Sequence, residues 1–441
     1  MQDSGLLLRT EKERRQSMNQ AVIAGIIFLV AIICIMTEKV HRTTAAILGM
    51  VLLLAFKVMT LDQAVSYIDF NTLGVLIGMM LFVGVIKHSG LFEYISIKAA
   101  KKVNGDPWRI MVMFVILTAI CSAFLDNVTT VLLMGPMTIT IARLLEVDPV
   151  PTLMAQIFAS NIGGTATMIG DPPNIMIGSE AHLSFAAFLL NTGVPCVIIL
   201  VVLFAMLKFF YGKDMHASDA AIHKVMLLDE KKAIADPKLM KQSIVMIVLV
   251  TIGFMFHDQF GYQTAFVALA AGGIMMLIGH VDIDEVVANV EWPTLLFFTG
   301  LFVLVGGLEK TGTISALAKL IMSATGGHVI ATMLVLLWAS ALLSSILDNI
   351  PFVATLIPFI HALGAHGMDT QPLWWAISLG ACLGGNGTLI GASANVVLSG
   401  IAGKHGYPIT FQSYLKKGFP VMIMSMIVSM IWLLLRFGFT A

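Results

Sequence analysis

One polar phrase occurs twice in this chain, and the repetition restricts its fold more than any other feature. Ile346-Leu347-Asp348-Asn349-Ile350-Pro351 echoes Phe124-Leu125-Asp126-Asn127-Val128-Thr129 at an offset of 222 residues. Leu383-Gly384-Gly385-Asn386-Gly387-Thr388-Leu389-Ile390-Gly391 echoes Ile162-Gly163-Gly164-Thr165-Ala166-Thr167-Met168-Ile169-Gly170 at an offset of 221. The register continues outward: Asp69-Phe70 faces Glu291-Trp292, Thr72-Leu73 faces Thr294-Leu295, Gly78 faces Gly300, Gly84 faces Gly306 and Ser89-Gly90 faces Thr311-Gly312. A duplicated polar, glycine-broken signature in apolar surroundings points to a membrane transporter with one copy of its site in each half.

The surroundings are apolar enough to demand a bilayer. Charged residues make up 12% and hydrophobic residues 58% of the chain, against about 25% charged in a soluble domain. Apolar runs near the length of a spanning helix recur at residues 22–37, 43–58, 73–86, 194–210, 244–256, 265–278, 295–308 and 419–435. The expectation is an all-α polytopic membrane protein. A net charge of zero gives no basic surface for nucleic acid. Cys34, Cys121, Cys196 and Cys382 lie in apolar segments without paired spacing, so neither a disulfide framework nor a metal site is expected.

Four segments follow: a polar N-terminal stretch (1–19), a first transmembrane repeat (20–212), a polar linker (213–242) and a second repeat (243–441). The apolar run after the N-terminal stretch is too long for a signal-peptide core and lacks a cleavage site, so it reads as a retained helix, with Met18 an alternative start. Each repeat reads as three spanning helices, an amphipathic arm (91–101; 314–322), a helical hairpin turning at the Asp-Asn, a broken helix and a last spanning helix. Five crossings is an odd number, so the second repeat must be inverted relative to the first. Lysines and arginines, including Lys39, Arg42 and the linker lysines, cluster on one side, which makes the linker cytoplasmic. Both termini then lie outside, against the rule for Arg9, Lys12, Arg14 and Arg15.

Broken helix is tolerated at membrane depth only where it is buried or lines a cavity. Gly163-Gly164 and Gly384-Gly385-Asn386-Gly387 read as such breaks, whose freed carbonyls would coordinate a cation and whose half-helix ends would face the cargo. The plainer alternative is that these glycines permit close helix packing. Asp126 and Asp348 are intramembrane carboxylates, hence candidate proton carriers, and equally N-caps of the second hairpin helix. Asp171 opens Asp171-Pro172-Pro173-Asn174 where the second half has Ala392-Ser393-Ala394-Asn395. Capping is the preferred reading for Asp171, with its extra charge favouring a cation or proton in the first half. No arginine or lysine interrupts these motifs, which makes a cation, a proton or a neutral solute the easier cargo. Cys121 and Cys382 are soft ligands suited to arsenic(III), although filling space as a small hydrophobe is the preferred reading for each. His257, His280, His361 and His366 read as interfacial.

At Asn161-Ile-Gly-Gly-Thr-Ala-Thr-Met-Ile-Gly-Asp-Pro-Pro-Asn174 and Leu383-Gly-Gly-Asn-Gly-Thr-Leu-Ile-Gly-Ala-Ser-Ala-Asn395 the chain resembles the ArsB/NhaD permeases of the ion transporter superfamily. That superfamily includes arsenite permeases, sodium/proton antiporters, the melanosomal P protein and, more distantly, citrate and dicarboxylate transporters. The resemblance implies a homodimer in which the first three helices of each repeat form a scaffold. Hairpins and broken helices would form a transport domain moving as an elevator. It also implies a first site at Asn127, Thr129, Gly163, Thr165 and Asn174, and a second at Asn349, Gly385, Asn386, Thr388 and Asn395. With the acids and the flanking motif residues, the candidate set adds Asp126, Asn161, Gly164, Thr167, Asp171, Asp348 and Gly384. Where the dicarboxylate branch has Ser-Asn-Thr at its hairpin tips, this chain has Asp-Asn-Val-Thr and Asp-Asn-Ile-Pro, which weighs against carboxylate transport.

The leading expectation is a secondary active transporter of the cytoplasmic membrane, exporting arsenite or antimonite as the neutral hydroxide in exchange for protons. Sodium/proton antiport is the alternative, with H+ or Na+ as the coupling ion and no cofactor. An arsenite permease would also engage a soluble ATPase subunit. An intramembrane aspartyl protease expects Gly-x-Gly-Asp, and Met168-Ile169-Gly170-Asp171 lacks the first glycine. No enzymatic activity is therefore expected.

Overall fold

The computed structural model describes residues 2–37, 39–212 and 215–438, with side chains from residue 18 onward. The side chains of Arg9, Lys12, Arg14 and Arg15 lie outside that range. Among the described residues the fold is all helical. The first half contains α1 (Gln2–Thr37), α2 (Arg42–Ala55), α3 (Leu61–Ser66), α4 (Phe70–Lys87), α5 (Leu91–Lys102), α6 (Pro107–Phe124), α7 (Asn127–Leu145), α8 (Val150–Thr165) and α9 (Pro172–Glu180). It closes with α10 (Phe185–Phe188), which runs through a π turn into α11 (Val194–Tyr211). After α12 (Asp219–Met226), the second half repeats the order as α13 (Pro237–Phe256), α14 (Thr264–Gly279), α15 (Ile283–Ala288), α16 (Trp292–Lys310) and α17 (Thr313–Ala324). It ends with α18 (Val329–Ser344), α19 (Asn349–Ala365), α20 (Gln371–Gly384), α21 (Ser393–Lys404) and α22 (Phe411–Phe437).

Eight of the described helices are long and apolar enough to cross a membrane. Their outer faces are oily: α1 exposes Val22, Ile26, Leu29, Val30 and Ile33, and α13 exposes Ile244, Val245, Val248, Leu249 and Ile252. Each such side chain is worth roughly 1.5–3 kcal/mol when removed from water, so these stripes require lipid.

Two groups of helices pack through repeat-related small residues. α2 lies against α16 and α4 against α14, each pair joining the two halves. A Cβ on Gly78 would come within 2.3 Å of the Ala268 backbone, and one on Gly300 within 2.7 Å of Ala46, the residue that matches Ala268 in the repeat. In the other group α6 packs on α8 and α18 on α20, with α9 against α19 and α21 against α7 across the halves. There a Cβ on Gly163 would meet the Ala119 carbonyl oxygen at 2.2 Å, and one on Gly384 the Ala341 oxygen at 2.6 Å.

These close approaches correct the reading of the glycines as helix breaks. Gly163 and Gly164 are still helical within α8, and Gly384 ends α20. The chain leaves the helix after Thr165 and after Gly384, then restarts at Pro172 and Ser393. Close backbone packing, as small residues permit in membranes, explains Gly163, Gly164 and Gly384.

The polar stretch between the halves is docked. Lys101 Nζ lies 2.6 Å from Glu230 and 2.8 Å from the Leu228 carbonyl, and Lys224 lies 2.7 Å from Glu146. Those lysines hold the Glu230 and Glu146 carboxyls below the usual range, chiefly by direct hydrogen bonding. Gly90 turns the chain at φ +76° where a Cβ would lie 2.0 Å from the Ala233 oxygen, so only glycine fits. Asp236 caps α13 through Lys238 N and Leu239 N, so the first six residues of α13 lie inside the stretch expected to be linker.

Candidate functional site: an acid and amide cluster between the hairpin tips

Both hairpins turn where sequence reasoning placed them, yet their aspartates make different bonds. Asp126 Oδ1 accepts the Thr129 N–H at 2.7 Å while the Thr129 hydroxyl donates to Oδ2, so the carboxylate is committed to capping α7. In the second half Pro351 stands where Thr129 would be and has neither N–H nor hydroxyl. Asp348 keeps one marginal cap bond, from Ile350 N at 3.5 Å. Its other oxygen accepts from Arg42 Nη1 at 2.7 Å and from Ser393 Oγ at 2.9 Å.

Arg42 is the residue that the sequence reading misplaced. Expected among the cytoplasmic loop charges, it opens α2 and points between the hairpin tips, also donating to Ser393 Oγ (2.8 Å) and Thr294 Oγ1 (3.3 Å) and lying 5.4 Å from the Phe297 ring. The motifs contain no cation, but the fold brings one to them across 306 residues. The clue available was the brevity of α2, 14 residues, which cannot carry its first residue through a full hydrocarbon core. Glu291 was likewise recognised only as a marker of the repeat; it accepts from Thr294 and borders the same space.

Asp171 does not cap. Pro172 and Pro173 supply no N–H at the first two helical positions, and its carboxylate takes no cap bond. It accepts instead from Asn349 Nδ2 at 3.1 and 3.3 Å, tying the first broken helix to the second hairpin. Arg42, Asp126, Asn127, Asp171, Glu291, Thr294, Asn349 and Ser393 together border a cavity of about 30 Å3. With Asp348 held at its edge by Arg42, four carboxylates and one guanidinium share this small chamber.

Beneath it lies a layer of amides. Asn161 Nδ2 donates to Asn386 Oδ1 and Asn395 Oδ1, both at 2.9 Å, and its own Oδ1 accepts from Asn127 Nδ2 at 3.2 Å. Asn386 Nδ2 is buried without a partner. Asn174 Nδ2 donates to the carbonyls of Thr167 (2.9 Å), Thr165 (3.1 Å) and Gly164 (3.5 Å), and Asn395 Nδ2 to those of Gly385 (2.8 Å) and Thr388 (3.0 Å). The carbonyls freed by the helix breaks, expected to hold a cation, are thus taken by these two asparagines. Thr165 bonds back to the Asn161 carbonyl at 2.6 Å. Thr167 and Thr388 bond to the carbonyls of Ala123 and Ser345, fastening each break to its own hairpin. Cys382 is buried 3.5 Å from Asn174 Oδ1, and among the described residues no His, Cys, Asp and Glu side chains form a metal-holding group.

The two helix groups meet unequally. At the start of α4, Asn71 Nδ2 and Asp69 Oδ1 engage Ser179 Oγ (3.0 and 3.2 Å), near the C-terminal end of α9. At the start of α16, Thr294 shares Arg42 with Ser393, the first residue of α21. In repeat register Ser393 matches Pro172, seven residues before Ser179. The cavities follow the same inequality. A crevice of about 520 Å3 separates Phe28, Ile32 and Ile35 from Ile346, Leu347 and Phe352, whereas Ile247 and Val250 leave about 10 Å3 beside Phe124 and Leu125.

Comparison with known proteins places this architecture among transporters. Residues 32–380 match the family model CitMHS, described as "Citrate transporter". An uncharacterised transporter of Mycobacterium tuberculosis is 42% identical over 427 residues, covering 95% of this chain and 99% of that protein. The human P protein is 33% identical over 513 residues, and the match covers 97% of this chain but 60% of the P protein. In fold the chain is similar to the crystal structure of the YdaH transporter of Alcanivorax borkumensis, with a TM-score of 0.62 at 13% identity, over 91% of this chain and 99% of that one.

Proposed function

This chain belongs to the CitMHS family, part of the ArsB/NhaD ion transporter superfamily, and on that premise we propose that it is a proton-coupled secondary transporter exporting arsenite or antimonite as the neutral hydroxide. That it is a multi-pass membrane transporter follows from family and fold; cargo and coupling are our reading. The observation that carries it is the small chamber where Asp348 faces Arg42 and Asp171 faces Asn349. Carboxylates whose partners can be exchanged suit proton carriage, as intramembrane acids commonly do. A space of about 30 Å3 has room for one or two water-sized molecules, which favours a small hydroxide over a tricarboxylate. The amides of Asn127 and Asn349 offer it neutral hydrogen-bonding partners.

The remaining features of the reading are an inverted repeat, an elevator motion, a homodimer, a location in the inner membrane and a cytoplasmic linker. The seven-residue difference between the Ser179 and Ser393 contacts supports the elevator, because the halves exchange roles if one helix group slides along the other. A soluble ATPase subunit remains a partner only for the arsenite reading.

Sodium/proton antiport is the second reading, favoured by four carboxylates facing a single arginine. Everted membrane vesicles separate the two. Arsenite uptake that dissipates an interior-acid gradient supports the first, whereas a pH response to sodium without arsenite movement replaces it with the second. A response to citrate alone would overturn both, and would make Arg42 the anion's donor.

A further inference from the structure

We infer that Arg42 is a coupling residue of this transporter: from the α2–α16 side it bridges to Asp348 and Ser393, and this bridge locks the hairpin group in one of its two positions. The inference deepens the proposed transport reading and rests on its moving helix group.

Three observations carry it. First, the guanidinium is held from both sides of the boundary between the helix groups. Thr294 and the Phe297 ring steady it on α16, while Asp348 and Ser393 receive it from α19 and α21. Second, the bridge has no copy in the other half. The repeat-related residue of Arg42 is Thr264, which donates to Asn71 Oδ1 at 3.2 Å, and the counterpart of Asp348 is Asp126, which caps α7. The bridge therefore marks a state and not a symmetric structural need. Third, exchanging the roles of the halves would carry Gly400, seven residues beyond Ser393 and the match of Ser179, to the position facing Glu291 and Pro293, the counterparts of Asp69 and Asn71 at the start of α16. At about 1.5 Å per residue that is roughly 10 Å along the helix, too far for Arg42 to remain on Asp348.

Moving therefore requires Asp348 to lose its counter-ion in a chamber that already holds Asp126, Asp171 and Glu291. A proton delivered to Asp348 meets that requirement: it neutralises the carboxylate, removes the attraction to Arg42 and frees the hairpin group to slide. Besides those three carboxylates, of which Glu291 shares Thr294 with Arg42, His41 is a further titratable group near the bridge, preceding α2 on the crevice wall.

The test reads position without using any cargo. In a background lacking the native cysteines, Asn71→Cys and Ser179→Cys replace atoms now 3.0 Å apart, so a short thiol cross-linker reports the locked position in proteoliposomes. Lowering the pH from 8 to 5.5 is expected to reduce the cross-linked fraction several-fold. Arg42→Gln and Asp348→Asn should each give a low fraction at both pH values. Arg42→Lys should restore the response, and His41→Gln should retain it. Arg42→Gln with the parental fraction and pH response would overturn the lock, as would a response abolished by His41→Gln. If Arg42→Gln does not fold, Asp348→Asn measured beside Arg42→Lys decides the same question. Loss of arsenite transport with Arg42-dependent cross-linking intact would remove the cargo assignment alone.

Discussion

Arg42 and Asp348 lie 2.7 Å apart although 306 residues separate them in the chain. The pair exists because Pro351 denies Asp348 the cap that Thr129 gives Asp126. Two differences between the repeats, Pro351 for Thr129 and Arg42 for Thr264, thus turn a capping residue into an ion-pair partner.

Restoring that cap should weaken the bridge. Pro351→Thr supplies an N–H and a hydroxyl to Asp348, and an N-cap bond contributes about 1 kcal/mol. We expect the ratio of cross-linked to uncross-linked Asn71→Cys, Ser179→Cys reporter to fall about fivefold at pH 8, since 1.4 kcal/mol corresponds to a factor of about ten in an equilibrium constant. An unchanged fraction would show that proline is not what frees Asp348.

Glycines at the close crossings should be intolerant, and those in open space should not. Gly163→Ala and Gly384→Ala drive a methyl group into the backbone of Ala119 and Ala341, and overpacking of this kind costs roughly 1–3 kcal/mol. Gly400→Ala, with nothing within 4 Å, should be neutral or stabilising by up to about 1 kcal/mol. Thermal unfolding in detergent orders the three.

Much of this was legible in the sequence because it follows from local chemistry. The Asp-Asn turns, the helix breaks and the paired halves all come from short patterns whose spacing survives duplication. Asp171 misled because Pro172 and Pro173 remove the N–H of the first two helical positions and Asn174 N–H goes to the Asp171 backbone carbonyl, which leaves the carboxylate to Asn349. Arg42 and Glu291 were hidden for a different reason. Their role depends on how α2 and α16 cross the hairpin tips, and no spacing along the chain encodes a contact made across 306 residues.

Asn161 should be the most sensitive amide. Asn161→Ala removes the donor to Asn386 and Asn395 and the acceptor of Asn127, leaving buried polar atoms unpaired at about 1–3 kcal/mol each. A lowered melting temperature together with lost transport is expected. Asn386→Ala, which removes an already unpaired amide N–H, should cost less stability.

The two linker ion pairs should lose their contribution only in strong acid. Hydrogen bonds from Lys101 and Lys224 depress the Glu230 and Glu146 carboxyls, so their stabilisation is fully present above the unfolded value, near 4.3. It disappears as the pH falls through the lower folded values. Hydrogen exchange across α12 should therefore be insensitive to these carboxyls from pH 8 to 6, and Lys101→Ala should raise it throughout that range.

The most direct test of the account is proton movement driven by cargo in everted vesicles carrying the wild-type chain or Asp348→Asn. Arsenite should dissipate an interior-acid gradient in the wild type and leave it intact in Asp348→Asn. Arsenite uptake that proceeds equally in both, with no change in the gradient, would contradict proton coupling at this site.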